Sequence, residues 1–199
     1  TQNRLEGWVD ESRRWQEKAT RLQTGAFRRN PLMTSFAIHL FIDAWPSGWM
    51  KAIVDCERNP KPAFYAYMDS LTPLAVSLRT DRKTFFSGEK AEIEIFVCND
   101  THKSSDGHTI DIELIRPDGK LAKKSAVTAF FGENDVFLQG KATFGVPTVT
   151  KREKYILRAI LRDGSGKAVH YAEEALEFFP MEKARGGSAV MIDGSDITD

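Results

Sequence analysis

The sequence predicts a mainly β protein: an immunoglobulin-like β-sandwich preceded by an α/β piece made of helix, strand and helix. Three observations predict it. All four tryptophans (Trp8, Trp15, Trp45 and Trp49) lie before residue 72, so the composition changes sharply there. Before that point apolar residues recur at steps of three and four, the period of a helix. After it come short β-rich runs separated by Gly and Asp turns, as in a sandwich. The expected units are 1–72, 73–180 and 181–199.

The first helix spans 5–28. Leu5, Trp8, Ser12, Trp15, Ala19, Leu22 and Ala26 fall on one face, expected to be the buried one. Arg13, Arg14, Glu17, Lys18 and Arg21 form the opposite face, with Glu17 and Arg21 spaced as an i,i+4 pair. Asn30-Pro31 ends the helix, because the residue before proline avoids the α region. Residues 34–42 are continuously apolar, the pattern of a strand covered on both faces as in a parallel sheet. His39 within it reads as a core histidine. A turn-rich loop, 43–49, follows. The second helix spans 62–71: a proline opens it without cost, and Phe64, Tyr67, Met68 and Leu71 keep the helical period.

From 73 to 180 the chain reads as all-β. Strands are expected at 74–79, 91–98, 109–115, 121–130, 136–145, 154–162 and 168–179. Alternation from Ala91 to Val97 marks one core face and one wet face. Pro117-Asp-Gly119 and Asp163-Gly-Ser-Gly166 supply residues that tolerate positive φ, and so read as hairpin turns. The Cys…Trp…Cys signature of antibody domains is absent, so the likeness is architectural. Residues 181–199, with a Gly186-Gly187 linker and a short apolar run at 189–192, read as a linker or the start of a further domain, with a disordered or loosely packed tail as the plainer alternative.

With 28 basic and 28 acidic residues among 199, the formal net charge is zero. That argues against a nucleic-acid binder or a polybasic membrane binder. No apolar run reaches the roughly 18 residues of a membrane span. Cys56 and Cys98 read as free thiols packed as small hydrophobes. The four histidines have no zinc-type spacing, and no metal or cofactor is expected. The loop 99–108 carries oxygen donors, but without a recognised calcium spacing, and reads as a solvated turn. The chain opens at Thr1, a polar start, and is expected to be part of a longer protein.

The stretch that carries chemistry is Phe41-Ile-Asp43-Ala-Trp45-Pro46, then Val54-Asp55, then Asn59-Pro-Lys-Pro-Ala-Phe-Tyr65-Ala-Tyr67, then Thr72-Pro73-Leu. It resembles the end of the catalytic (β/α)8 barrel of glycoside hydrolase family 2, which includes β-galactosidases, β-glucuronidases and β-mannosidases. Ile42 stands where many members have Asn, and Cys56 where many have an aromatic residue. The resemblance implies that 34–42 is the last barrel strand and 73–180 the immunoglobulin-like domain after it. It implies a parent that hydrolyses O-glycosidic bonds with retention, like a β-galactosidase. Its two catalytic glutamates would lie upstream of Thr1, so no catalytic residue is expected here and the isolated chain should be inactive.

Functional residues of such barrels sit at the C-terminal ends of strands. Asp43 and Trp45 follow the expected strand directly. The Trp45 ring offers a flat apolar face to a sugar, and Asp43 can accept bonds from hydroxyls; both are the candidate substrate-binding residues. Trp49 and Asp55 read as structural. A carbohydrate is the implied substrate of the parent, and the uncovered barrel piece suggests a homodimer. The sandwich itself reads as a structural spacer. A carbohydrate-binding module is the rival reading, although residues 73–180 contain no Trp and only Tyr155 and Tyr171.

Overall fold

The computed structural model describes residues 2–45 and 51–181. Its elements are α1 (Gln2–Arg28), α2 (Pro62–Ser70), β1 (Leu74–Arg79), β2 (Thr84–Phe86), β3 (Lys90–Asn99), β4 (Thr109–Ile115), β5 (Leu121–Thr128), β6 (Asp135–Gly145), β7 (Glu153–Arg162) and β8 (Ala168–Phe179). The expected fold class is the one observed: a mainly β protein with an α/β piece ahead of two packed sheets.

Two sheets face each other, one ordered β1-β3-β6 and the other β2-β8-β7-β4-β5. Alternation drives the packing. Ala91, Ile93, Ile95 and Val97 of β3 are all buried, as are Ile110, Ile112 and Leu114 of β4 and Tyr155, Leu157, Ala159 and Leu161 of β7. The Phe178 ring lies among Phe85, Phe144 and Tyr155, with its nearest ring centroid, that of Tyr155, at 4.6 Å. The two anticipated turns close hairpins. Gly119 (φ 80°) joins β4 to β5, and Gly166 (φ 84°) joins β7 to β8. A side chain at either position would strain the backbone.

Seven strands were expected and the described residues contain eight. The extra one, β2, is three residues long and pairs parallel to the last strand, β8. Only Phe85 of its three residues is buried, too little alternation to show in a sequence. Strand β5 stops at Thr128 rather than 130 and is exposed along its whole length. It is a sheet edge, and Lys123 and Lys124 are of the type that discourages edge-to-edge pairing.

Three expectations for the α/β piece are corrected. First, 34–42 is not a strand. Its one pairing is an isolated parallel bridge between Ile42 and Val54. Leu40 adopts φ 64°, which breaks an extended run, and a doubly covered strand needs neighbours on both sides that the described residues do not supply. His39 is accordingly exposed rather than in a core. Second, α1 turns its polar face inward. Thr20 and Thr24 are buried, while Leu5, Trp8, Trp15 and Leu22 are each at least 60% exposed. Third, Arg21 pairs with Asp69 of α2 at 2.5 Å, a tertiary contact in place of the expected local pair. Cys98 is buried and Cys56 half-buried, both free. Residues 189–192 lie outside the described residues.

A polar seam joins α1, α2 and the sandwich. The Arg28 guanidinium donates to the carbonyls of Ser70 and Thr72, each at 2.8 Å, and to the Asp100 carboxylate at 2.7 Å. It thereby satisfies carbonyls at the end of α2 that helix geometry leaves unpaired. Next to it Arg29 donates to Ser77 Oγ at 2.7 Å. The buried Cys98 thiol, which burial pushes up in pKa, faces the Arg28 carbonyl.

His170 of β8 lies in the same seam with a side chain 9% exposed, its Nε2 3.6 Å from Asp69 Oδ1. Neither ring nitrogen has a hydrogen-bond partner. Burial pushes its pKa below 6.5; Asp69 opposes this, while Arg28 and Arg21 add to it. The unfolded chain therefore takes up this proton first as pH falls, so the contribution is complete above pH 6.5 and shrinks below it. Chemical denaturation from pH 7.5 to 5.5 should show stability falling on the acid side. His170→Leu should flatten that slope, and an identical slope in the variant would exclude His170 as its source.

Candidate functional site

The loops between α1 and α2 are built on Val54. Its N–H donates to the Phe41 carbonyl and its carbonyl accepts from Asp43 N–H, both at 3.0 Å. On its other side Val54 bridges Pro60 in antiparallel sense, and Lys61 N–H donates to the Ile53 carbonyl at 2.9 Å. Ala52, Ile53, Val54 and Ala63 are buried, with Ile38, Ile42, Phe64 and Tyr67 packed around this small core. Gln16 of α1 fixes it from outside, donating to the carbonyls of Lys51 (2.6 Å) and Ala52 (3.2 Å).

Asp55 shapes the turn that follows. Its Oδ1 accepts from the Glu57 and Asn59 amides at 3.0 and 2.8 Å. The Asn59 amide, above the other contributions, holds the carboxyl below its usual pKa. Arg58 takes up the tight bend with φ 71°. Asp55 thus has the structural role expected of it. The chain then enters α2 through Pro60-Lys61-Pro62. Pro62 stands in the first turn, where its missing N–H is not needed.

The two candidate site residues differ in exposure. Trp45 is 75% exposed. The Asp43 side chain is 1% exposed, and both of its oxygens are engaged: Oδ1 accepts from Ala52 N–H at 2.9 Å, and Oδ2 meets Lys61 Nζ at 2.5 Å. Lys61 is equally enclosed, with a side chain 6% exposed. The ion pair ties the Asp-x-Trp segment to the Pro-Lys-Pro segment across 18 residues. Lys61 is the residue that sequence reasoning passed over. A lysine between two prolines at a helix entrance is confined in direction, and that was the available signal. Phe41 is 52% exposed on the same loop as Trp45. Trp49 and Pro46 lie outside the described residues. Among the described residues no group of three His, Cys, Asp or Glu side chains could hold a metal ion. No helix among them is long and apolar enough to cross a membrane.

Several solved structures share this fold. Exo-chitosanase CsxA from Amycolatopsis orientalis matches with a TM-score of 0.63 and 22% identity over 86% of this chain. The β-D-mannosidase of Dictyoglomus thermophilum matches with a TM-score of 0.64 and 20% identity over 81%. A second CsxA structure, described as an exo-β-D-glucosaminidase, gives a TM-score of 0.59. The chain spans about a fifth of the length of the exo-chitosanase and of the mannosidase. In each comparison most of the chain aligns, so the match takes in more than the β-sandwich alone. No protein-family model matches the chain. No curated protein matches it either.

Removing one member of a buried ion pair strands the other, at a cost of about 3–5 kcal/mol. Lys61→Met should therefore loosen the loops around Val54. Faster hydrogen exchange at the Ala52 amide would register this, with slower change at Leu157 in the sandwich core. Unchanged exchange at Ala52 would show that the pair does not hold the loop.

Proposed function

We propose that the chain is the C-terminal part of a retaining glycoside hydrolase of family 2: the last strand position and helices of the catalytic barrel, then a structural immunoglobulin-like module. The observation that carries this reading is the joint presence of the Asp43-x-Trp45 and Pro60-Lys61-Pro62 segments, locked together by one buried ion pair, in a fold shared with an exo-chitosanase and a β-mannosidase. The parent hydrolyses β-glycosides, with a β-galactoside as the expected substrate. It does so with two glutamates supplied from outside this chain, about 5 Å apart as retention requires.

In this reading Trp45 faces the sugar, and its ring covers an apolar C–H face. Asp43 acts one step back, holding the loop from which Trp45 projects. The stripe Leu5, Trp8, Trp15 and Leu22 is the side of α1 that packs on the remainder of the barrel. In the isolated chain the same stripe supports a homodimer. The sandwich contributes no catalytic group and sets the position of α1 and α2 through the Arg28 seam.

The test starts from the reading frame around this segment and the protein it encodes. That protein should hydrolyse one of a panel of nitrophenyl β-galactoside, β-glucuronide, β-mannoside and β-glucosaminide, releasing the β-anomer first, while the 199-residue chain hydrolyses none. Trp45→Ala in the whole enzyme should lower kcat/KM by about 10- to 100-fold, or ~1.4–2.8 kcal/mol of transition-state stabilisation, at unchanged Tm. A reading frame without a barrel, or a whole protein inert on every β-glycoside, would sink the proposal.

A further inference from the structure

The sandwich has an open end that nothing above uses. A three-stranded sheet cannot cover a five-stranded one completely, and β5 is exposed along its whole length. In the β4–β5 register Lys123 stands opposite Leu114, a buried residue. Its side chain therefore projects on the core-facing side of the sheet, yet Lys123 is exposed. The space left beside it is a groove of about 780 Å³ between the β4–β5 turn and the β6–β7 connection. That size lies within the usual range for small-molecule sites.

The charge on this groove is uneven. Arg116, Lys123, Lys151 and Lys154 line it. Among the described residues none of these four has a carboxylate within ion-pair distance, whereas Arg79, Arg82, Lys83, Lys124, Arg158 and Arg162 elsewhere on the sandwich are all paired. The acidic lining residues do not restore the balance. Asp118 is paired with Lys120 at 3.9 Å and the lining Arg152 with Glu177, which leaves the four cations facing the single carboxylate of Glu153. Below the cations Phe144, Pro147 and Tyr155 form an apolar floor. The Tyr155 and Phe144 rings are buried in the core, so they offer no stacking platform for nucleic-acid bases.

We infer that this groove binds an acidic oligosaccharide, a short run of sugars bearing carboxylate or sulfate groups. Four cations against one carboxylate leave the concavity positively charged, which attracts and orients anions, and Arg116 adds the planar fork that suits carboxylate or sulfate oxygens. Pro117, exposed, and Pro147, half-buried, are the apolar lining that a ligand can reach, and they suit the C–H groups of a sugar ring. That the anion is carried on a sugar rests on the proposed glycosidase parentage; the anion site itself does not.

Calorimetry on the 199-residue chain tests this directly, with no enzymatic readout. The probes are a tetragalacturonate, a sulfated tetrasaccharide, neutral cellotetraose and a short poly-glutamate. At least tenfold tighter binding of an acidic sugar than of cellotetraose is expected, and the better of the two acidic probes identifies carboxylate or sulfate. Lys123→Glu/Lys154→Glu should weaken that binding by tenfold or more, while Lys103→Glu/Lys167→Glu, outside the groove, should leave it unchanged. If the charge reversals do not fold, Arg116→Gln/Lys151→Gln should give the same loss. Acidic sugars binding no better than cellotetraose overturn the inference, as does equal weakening by the outside pair. Poly-glutamate binding as tightly as either acidic sugar overturns the assignment to sugars.

Discussion

One guanidinium keeps the two parts of this chain in a fixed relation. Arg28 ends α1, yet its side chain is 6% exposed and reaches the end of α2, the start of β1 and Asp100 after β3. A buried cation is costly unless it is hydrogen-bonded and an opposite charge is near. Here the guanidinium makes four hydrogen bonds, one of them to the Asp100 carboxylate, but only if α1, α2 and the sandwich take up one arrangement. A hydrophobic seam would tolerate sliding. This one does not, because any shift leaves a charge or a helix carbonyl unpaired.

The same logic operates on a smaller scale around Val54. Asp43 and Lys61 are opposite charges buried beside the small core. Such a pair adds little net stability but is intolerant of misplacement. Here it fixes where the loop after Ile42 leaves the small core, and so where Trp45 emerges. Positioning is thus separated from exposure. The Asp43 carboxylate is committed inward, while the Trp45 ring two residues later is exposed.

Much of the sandwich was legible because alternation is a local signal that sheet packing enforces. Seven strands begin and end within a residue or two of where periodicity put them. The eighth, Thr84–Phe86, is too short to alternate. The existence of α1 was equally legible, but not its orientation. An amphipathic pattern says that one face is apolar, not which neighbour is present to cover it, and here the polar side meets α2. The run 34–42 failed for a related reason: continuous apolar composition fits a strand covered on both faces, but among the described residues its one pairing is the isolated bridge to Val54. Asp43 and Trp45 stood out as a motif, but the division of labour between them depends on Lys61, and no local pattern points 18 residues ahead.

The parallel pairing of β2 with β8 has a consequence for synthesis. Ser87, just after β2, donates through its hydroxyl to the carbonyl of Phe179, a partner 92 residues later. Its amide bonds the same carbonyl at 2.8 Å. Closing so long a loop is slow relative to forming the local hairpins. On the ribosome the five-stranded sheet cannot close on its β2 side until Phe179 has left the exit tunnel. Until then Phe85 and the faces meant for Phe178 are uncovered, and the nascent chain carries an unfinished edge for which other strands can compete.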